Sequence, residues 1–160
     1  MSDLAFRTIE SPFGPMRAVA SERGVRVLSF DGAGERAAGE SAVLARLERE
    51  LAAYFAGDLA AFSVALDLEG TAWQRRVWRE LTGIPCGETI SYGELARRLG
   101  NSNAARPAGL ANGANPVAIV VPCHRVIASD GTLGGYAGGL KRKRWLLDHE
   151  ASMSGAPTLF

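Results

Sequence analysis

Only two cysteines, Cys86 and Cys123, and two histidines, His124 and His149, occur among the 160 residues. Two thiols form at most one disulfide, which excludes the dense cross-linked framework of a small secreted domain. No Cys-x-x-Cys pair is present, and so few sulfur and imidazole ligands leave no local cluster for a tetrahedral zinc site, so no metal is expected. No run of about 18 uncharged apolar residues is present, so no membrane-spanning helix is expected. Met1 to Arg7 lack a basic segment followed by an apolar run, which argues against a secretory leader and for a cytoplasmic protein with reduced thiols. Internal repeats and low-complexity tracts are also missing.

What is there is an ordinary globular composition, 47% hydrophobic and 22% charged, sufficient for one domain or two small ones. The net charge of +1 conceals an asymmetry: residues 1–86 hold ten Lys/Arg against twelve Asp/Glu, residues 87–160 eight against five. Between Arg97 and Leu147 the only acid is Asp130, a balance suited to a polyanion such as a phosphate backbone. Four of those basic residues form one run, Lys141-Arg142-Lys143-Arg144, which also reads as a solvated face.

Alternating runs at Ala5 to Glu10, Pro15 to Ala20 and Val25 to Phe30 are separated by Ser11-Pro12-Phe13-Gly14 and Ser21-Glu22-Arg23-Gly24, which predicts strands joined by hairpin turns. Val43, Leu44, Leu47, Leu51 and Tyr54 have helical spacing, with Ser41 as N-cap and Gly57 as stop. Asp58 to Gly70 reads as a linker over the surface with one extended piece, Phe62 to Leu66. The fold class is therefore α+β: an N-terminal lobe with its linker over residues 1–70, then a mostly helical domain over residues 71–160.

In that second part, Trp73, Val77, Trp78 and Leu81 predict a helix from Thr71 to Leu81. Ser91 and Glu94 form a capping box opening a short helix that Gly100 closes, and a second short helix follows from Ala104 to Gly113. This outline fits a helix-turn-helix, in which Ala104, Ala105, Ala108, Gly109, Ala111 and Gly113 would let the second helix approach a narrow groove. It equally fits a helical hairpin packed in a core. Trp73, Trp78 and Trp145 read as core anchors, Cys86 as a passive turn residue and His149 as a helix-surface residue.

The chemistry concentrates in Ile119-Val120-Val121-Pro122-Cys123-His124-Arg125-Val126. A β-branched run predicts a strand whose end delivers Cys123 to a cleft. His124 beside it can take the thiol proton directly or through water, and nearby basic residues favour thiolate. A histidine acting as base needs an acceptor on its other ring nitrogen; Asp148 and Glu150 both qualify, and spacing does not rank them.

Pro122-Cys123-His124-Arg125-Val126, with Gly135-Tyr136-Ala137-Gly138-Gly139 and Trp145-Leu146-Leu147-Asp148-His149-Glu150, resembles the O6-alkylguanine-DNA alkyltransferase family from about Thr71 to Glu150. The resemblance implies a DNA repair protein that moves an alkyl group from O6-alkylguanine in double-stranded DNA onto Cys123, and leaves open whether O4-alkylthymine is a second lesion. The transfer is irreversible, happens once per molecule and needs no cofactor. It implies that His124 draws off the thiol proton through water and that Glu150 holds the imidazole. Asn115 would tie the DNA-reading helix to the active-site turn, and Tyr92 would help rotate the nucleotide outward and protonate N3 of the leaving guanine.

The same resemblance makes Arg106 the finger entering the vacated stack, with the small residue Ala105 beside it on the DNA-reading helix. Tyr136 would wall the pocket, the backbone around Val126 and Ala137 would read the flipped base, and Lys143 would stand at the pocket's side. A monomer is expected, cooperative on DNA in some settings. Pro107, Ala137 and Ala118 depart from residues common in the family; Pro107 shifts Arg106 away from helical angles unless it lies in a helix's first turn. Two other classes compete: a module that binds alkylated bases without reacting, which has no use for Cys123, and a Cys-His hydrolase, for which no oxyanion arrangement is recognisable.

Overall fold

A computed structural model describes residues 4–32 and 38–154. The alternating runs near the N-terminus form β1 (Ala5–Ser11), β2 (Gly14–Ala20) and β3 (Val25–Ser29), an antiparallel sheet in the order β1-β2-β3. The first hairpin places Ser11 opposite Gly14, whose φ of 96° only glycine adopts readily. The second hairpin carries a register shift at Val19/Ala20. Ile9, Met16, Ala18 and Leu28 are buried, and α1 (Ala42–Phe55) covers the sheet with Leu44, Leu47, Leu51 and Tyr54.

Both ends of α1 follow from single residues. Ser41 Oγ accepts from the Leu44 amide at 3.1 Å, satisfying a donor that the first turn leaves unpaired. At the other end Gly57, with φ 84°, sends its N–H to the Tyr54 carbonyl while Asp58 reaches back to Ala53. These two bonds constitute a Schellman stop, which requires the left-handed residue. Leu47→Ala is expected to cost about 2–5 kcal/mol, because the side chain is fully buried. Urea unfolding should show a lower midpoint at unchanged slope.

The extended piece expected in the surface linker after α1 is bonded to the sheet. Val25 donates to the Ala65 carbonyl and accepts from Asp67, both at 2.9 Å, so this piece is held to β3. Gly24 permits the approach, since a Cβ there would lie 2.6 Å from the Ala65 carbonyl oxygen. Pro116–Ala118 also bonds to β3, through Leu28 N–H to Pro116 and Ala118 N–H to Leu28, each 3.0 Å. The residues thus cluster into one unit of Met1–Glu69 with Pro116–Ala118 and another of Gly70–Asn115 with Ile119–Phe160. A boundary read along the chain misses the three returning residues.

The second unit is mostly helical. Its α2 (Ala72–Leu81) starts with a reciprocal capping box between Thr71 and Gln74, and Trp78 anchors it by donating from Nε1 to the Ala111 carbonyl at 2.8 Å. Of the three tryptophans only Trp78 is fully buried; Trp73 and Trp145 are half-buried, the first donating to the Pro107 carbonyl and the second stacking on His149. β4 (Ile90–Ser91) pairs in parallel with β5 (Val126–Ile127), and α3 (Tyr92–Arg98), a turn and α4 (Ala105–Gly113) follow β4. Ser91 caps α3, but the expected reciprocal bond is missing because the Glu94 carboxylate is taken by Arg97. α5 (Leu140–Ser154) completes the unit. Among the described residues no helix is long and apolar enough to cross a membrane.

Candidate active site

The run before Cys123 does not form the expected strand. Ile119 has φ 73°, a left-handed angle that costs a β-branched residue about 1–3 kcal/mol, and the chain turns through Val121. At Pro122, φ −84° and ψ 63° make an inverse γ-turn that the Cys123 N–H closes on the Val121 carbonyl at 2.8 Å. The Asn115 side chain, just beyond α4, donates to the same carbonyl at 2.7 Å. Ile119, Val120 and Val121 are β-branched because they are buried, not because they extend. Cys123 then opens a single 3₁₀ turn, Cys123–Arg125, that leads into β5.

Cys123 lies at a pocket of about 250 Å³. Tyr92, Tyr136 and Ala137 line it together with Gly109, Asn112, Gly113 and Gly135. Tyr92 opens α3 and lies against α4, where a Cβ on Gly109 would stand 3.5 Å from its ring; its hydroxyl points to the Gly135 carbonyl at 3.5 Å. Burial, and then the neighbouring Cys123, push the Tyr92 phenol up, so at neutral pH it keeps a proton to donate.

Behind the thiol the charges are arranged in a chain. His124 is fully buried, and its Nε2 meets Glu150 Oε2 at 2.7 Å. Arg125 grips the same carboxylate with two bonds, Nε to Oε1 at 2.8 Å and Nη2 to Oε2 at 2.9 Å, and donates from Nη1 to the Ile84 carbonyl at 2.6 Å. Burial opposes ionisation of Glu150, but His124 and Arg125 outweigh it and hold the carboxyl well below its ordinary range. Burial pushes the His124 imidazole down despite Glu150, which leaves it neutral at pH 7. A carboxylate can only accept, so the imidazole proton sits on Nε2. Nδ1 keeps its lone pair, buried and without a hydrogen-bond partner in the protein.

The expectation of a resting thiolate is corrected. Burial pushes the Cys123 thiol up, and the Asn115 side chain and the Lys143 charge offset this only partly. The Arg125 charge, which the sequence places two residues from the thiol, is committed to Glu150. Cys123 therefore rests as a neutral thiol, which would have to lose its proton to act as a nucleophile.

Lys143 is fully buried and does not line the pocket; its Nζ donates to the carbonyls of Val126 at 2.7 Å, Gly135 at 2.9 Å and Leu133. Burial pushes its ammonium down to about 8. Val126 also lies outside the lining, with its N–H on the Cys123 carbonyl and its carbonyl on Lys143. Arg106 is exposed and Ala105 half-buried at the start of α4, where Pro107 occupies the first turn and forfeits no intrahelical bond. Asp148, as well spaced as Glu150 by sequence, does not reach the histidine. The sequence reading overlooked Arg125 as a structural ion and Asn112 as a lining residue. A carboxylate buried with a neutral histidine needs a counter-charge, and that requirement was the signal for Arg125.

Two family models match the chain in succession. The model for the ribonuclease-like domain of 6-O-methylguanine DNA methyltransferase matches residues 4–68, and the model for its DNA binding domain matches residues 72–152. The chain is 46% identical to the methylated-DNA–protein-cysteine methyltransferase of Mycobacterium bovis over 97% of this chain and 98% of that one. A protein of the same name from Methanosarcina acetivorans is 45% identical over 92% and 98%. Among solved structures, Mycobacterium tuberculosis OGT in complex with DNA matches with a TM-score of 0.85 at 47% identity, over 96% of each chain.

Proposed function

Because the chain belongs to the 6-O-methylguanine DNA methyltransferase family and repairs DNA by moving an alkyl group onto one of its own cysteines, we propose that Cys123 is that cysteine. The observation that carries this is the neutral thiol in the pocket beside a histidine whose Nδ1 lone pair is unengaged and whose Nε2 is held by Glu150. Cys86 is half-buried, with a thiol that burial also pushes up, but it does not line the pocket.

The substrate we assign is O6-alkylguanine in duplex DNA, with O4-alkylthymine as a second lesion. A stacked base hides its alkyl carbon from a thiol in a pocket, so the nucleotide must leave the helix. Exposed Arg106, beside Ala105 on α4, would fill the vacated stack. Small residues on that helix suit a minor-groove approach, and the basic side chains of the second unit suit phosphates. The protein acts as a cytoplasmic monomer that binds the duplex largely without regard to sequence.

Sγ attacks the carbon bound to O6; the S–C bond forms as the C–O bond breaks, and the electron pair passes to the guanine. The thiol proton moves through water to His124 Nδ1, and Glu150 stabilises the imidazolium. Tyr92 donates a proton to N3 of the departing guanine, and the phenol is restored from solvent. Asn115 holds the turn that aims the sulfur, while Tyr136 and Ala137 wall the base. Lys143 fixes the carbonyls of Val126 and Gly135 behind the pocket. No group here reverses a thioether, so each molecule reacts once.

The test compares Cys123→Ala with Cys86→Ala on a duplex carrying labelled O6-methylguanine. The first should accept no label and the second a full equivalent. Label on Cys123→Ala would overturn the assignment.

A further inference from the structure

The start of α4 is held from outside the helix. Ala104 stands at its N-cap without a side-chain bond, and Pro107 in the first turn has no N–H, so no side chain of α4 itself pins that turn. The hold comes from two residues of α2, three positions apart. Half-buried Trp73 donates from Nε1 to the Pro107 carbonyl at 3.2 Å. Arg76 lies over the Trp73 ring, its guanidinium carbon 5.9 Å from the centroid, and donates from Nη2 to the Leu99 carbonyl. Leu99 is the C-cap of α3; the next two N–H groups, of Gly100 and Asn101, return to Arg97 and Ala96 and do not use its carbonyl. Trp73 and Arg76 therefore tie the end of α3 to the first turn of α4, across the turn that separates the two helices.

We infer that Trp73, steadied by Arg76, is a positioning residue for base extrusion: it aims Arg106 by holding the carbonyl of the residue that follows it. This rests on the reading of Arg106 as the finger that fills the vacated stack. Arg106 is exposed, so the direction in which its side chain leaves α4 is set by the backbone of the first turn. That backbone is what the indole grips. The ring and the N–H of Trp73 have separate duties: the ring carries the Arg76 guanidinium, and the N–H alone reaches Pro107. Phenylalanine keeps a ring and loses the donor, so this substitution separates the brace from the packing.

The experiment measures single-turnover methylation of Cys123 by an O6-methylguanine duplex over a range of excess protein, for wild type, Trp73→Phe, Arg106→Ala and the double variant. Trp73→Phe is expected to lower the maximal rate about three- to ten-fold, the contribution of one hydrogen bond, and to leave the half-saturating concentration within about two-fold. The double variant should match Arg106→Ala within about two-fold, because a brace that acts through the finger then has nothing left to aim. Trp73→Leu provides the same cycle if the phenylalanine variant lacks the native circular dichroism. Effects that multiply in the double variant, as a merely structural role would give, would overturn the inference alone. So would a Trp73→Phe rate equal to that of wild type, or a loss confined to the half-saturating concentration. Arg106→Ala as fast as wild type would instead overturn the finger reading beneath it, and no methylation of Cys123 in wild type the alkyl-acceptor reading.

Discussion

Glu150→Leu is expected to lower the unfolding free energy by about 3–5 kcal/mol and to abolish alkyl transfer. Glu150 is fully buried, and its carboxylate accepts from Arg125 and meets His124 Nε2. Removing it leaves the Arg125 guanidinium buried without its carboxylate partner, its Nη1 still on the Ile84 carbonyl. The loss therefore measures the uncompensated cation more than the worth of the pair. A double variant, Arg125→Met/Glu150→Leu, is expected to recover most of the stability, since apolar residues of similar volume replace a buried ion pair at little cost. Transfer should stay absent, because His124 Nε2 then has no acceptor to stabilise an imidazolium. Urea unfolding and transfer rates measured on both variants separate the two effects. A double variant that is stable and active would show that the carboxylate serves the fold alone.

The same group sets the response to acid. Its folded pKa is depressed below that of the unfolded chain, so its contribution is present above the unfolded value, about 4.3, and is lost as pH falls toward the folded one. Wild type should therefore lose stability from about pH 5 downward, and Arg125→Met/Glu150→Leu should lose less over that range.

His124→Leu is expected to slow transfer by about 10²–10⁴-fold at neutral pH, the usual contribution of a positioned base. The pH profile tests the role more sharply than the rate. On the proposed mechanism the reactive pair in wild type is a neutral thiol and a neutral imidazole. Burial pushes the imidazole down and the thiol up, so this state spans neutral pH and the rate should be level there. Without the base, reaction must wait for spontaneous thiolate. The variant's rate should then rise about ten-fold per pH unit until the raised thiol pKa is reached. A variant profile as level as wild type would remove His124 from proton transfer.

Much of this was legible in the residues because short-range physics decided it. Ser41 and Gly57 mark the ends of α1 because a hydroxyl and a left-handed glycine each satisfy one helix end without help from elsewhere. The strands near the N-terminus follow from alternation, and the resemblance pointed to the pairing of His124 with Glu150. What was not legible depends on partners distant in sequence. Ile119 to Val121 has the composition of a strand, yet Asn115 and the Cys123 N–H both claim the Val121 carbonyl, and the chain turns instead. The linker piece gained a partner in Val25 that no local pattern announces. Basic neighbours argued for a thiolate at Cys123, but the charge of Arg125 is committed to Glu150 and burial decides the thiol's state. No local pattern singled out Asn112, which emerges only as a residue lining the pocket with Cys123.

The central claim is that one buried sulfur accepts one alkyl group and keeps it. Incubation with excess O6-methylguanine duplex, followed by intact-mass measurement and peptide mapping, tests it most directly. The account predicts a gain of one methylene mass per molecule, reaching a plateau and confined to the peptide bearing Cys123. An unchanged mass, a second addition, or methylation carried by Cys86 would contradict it.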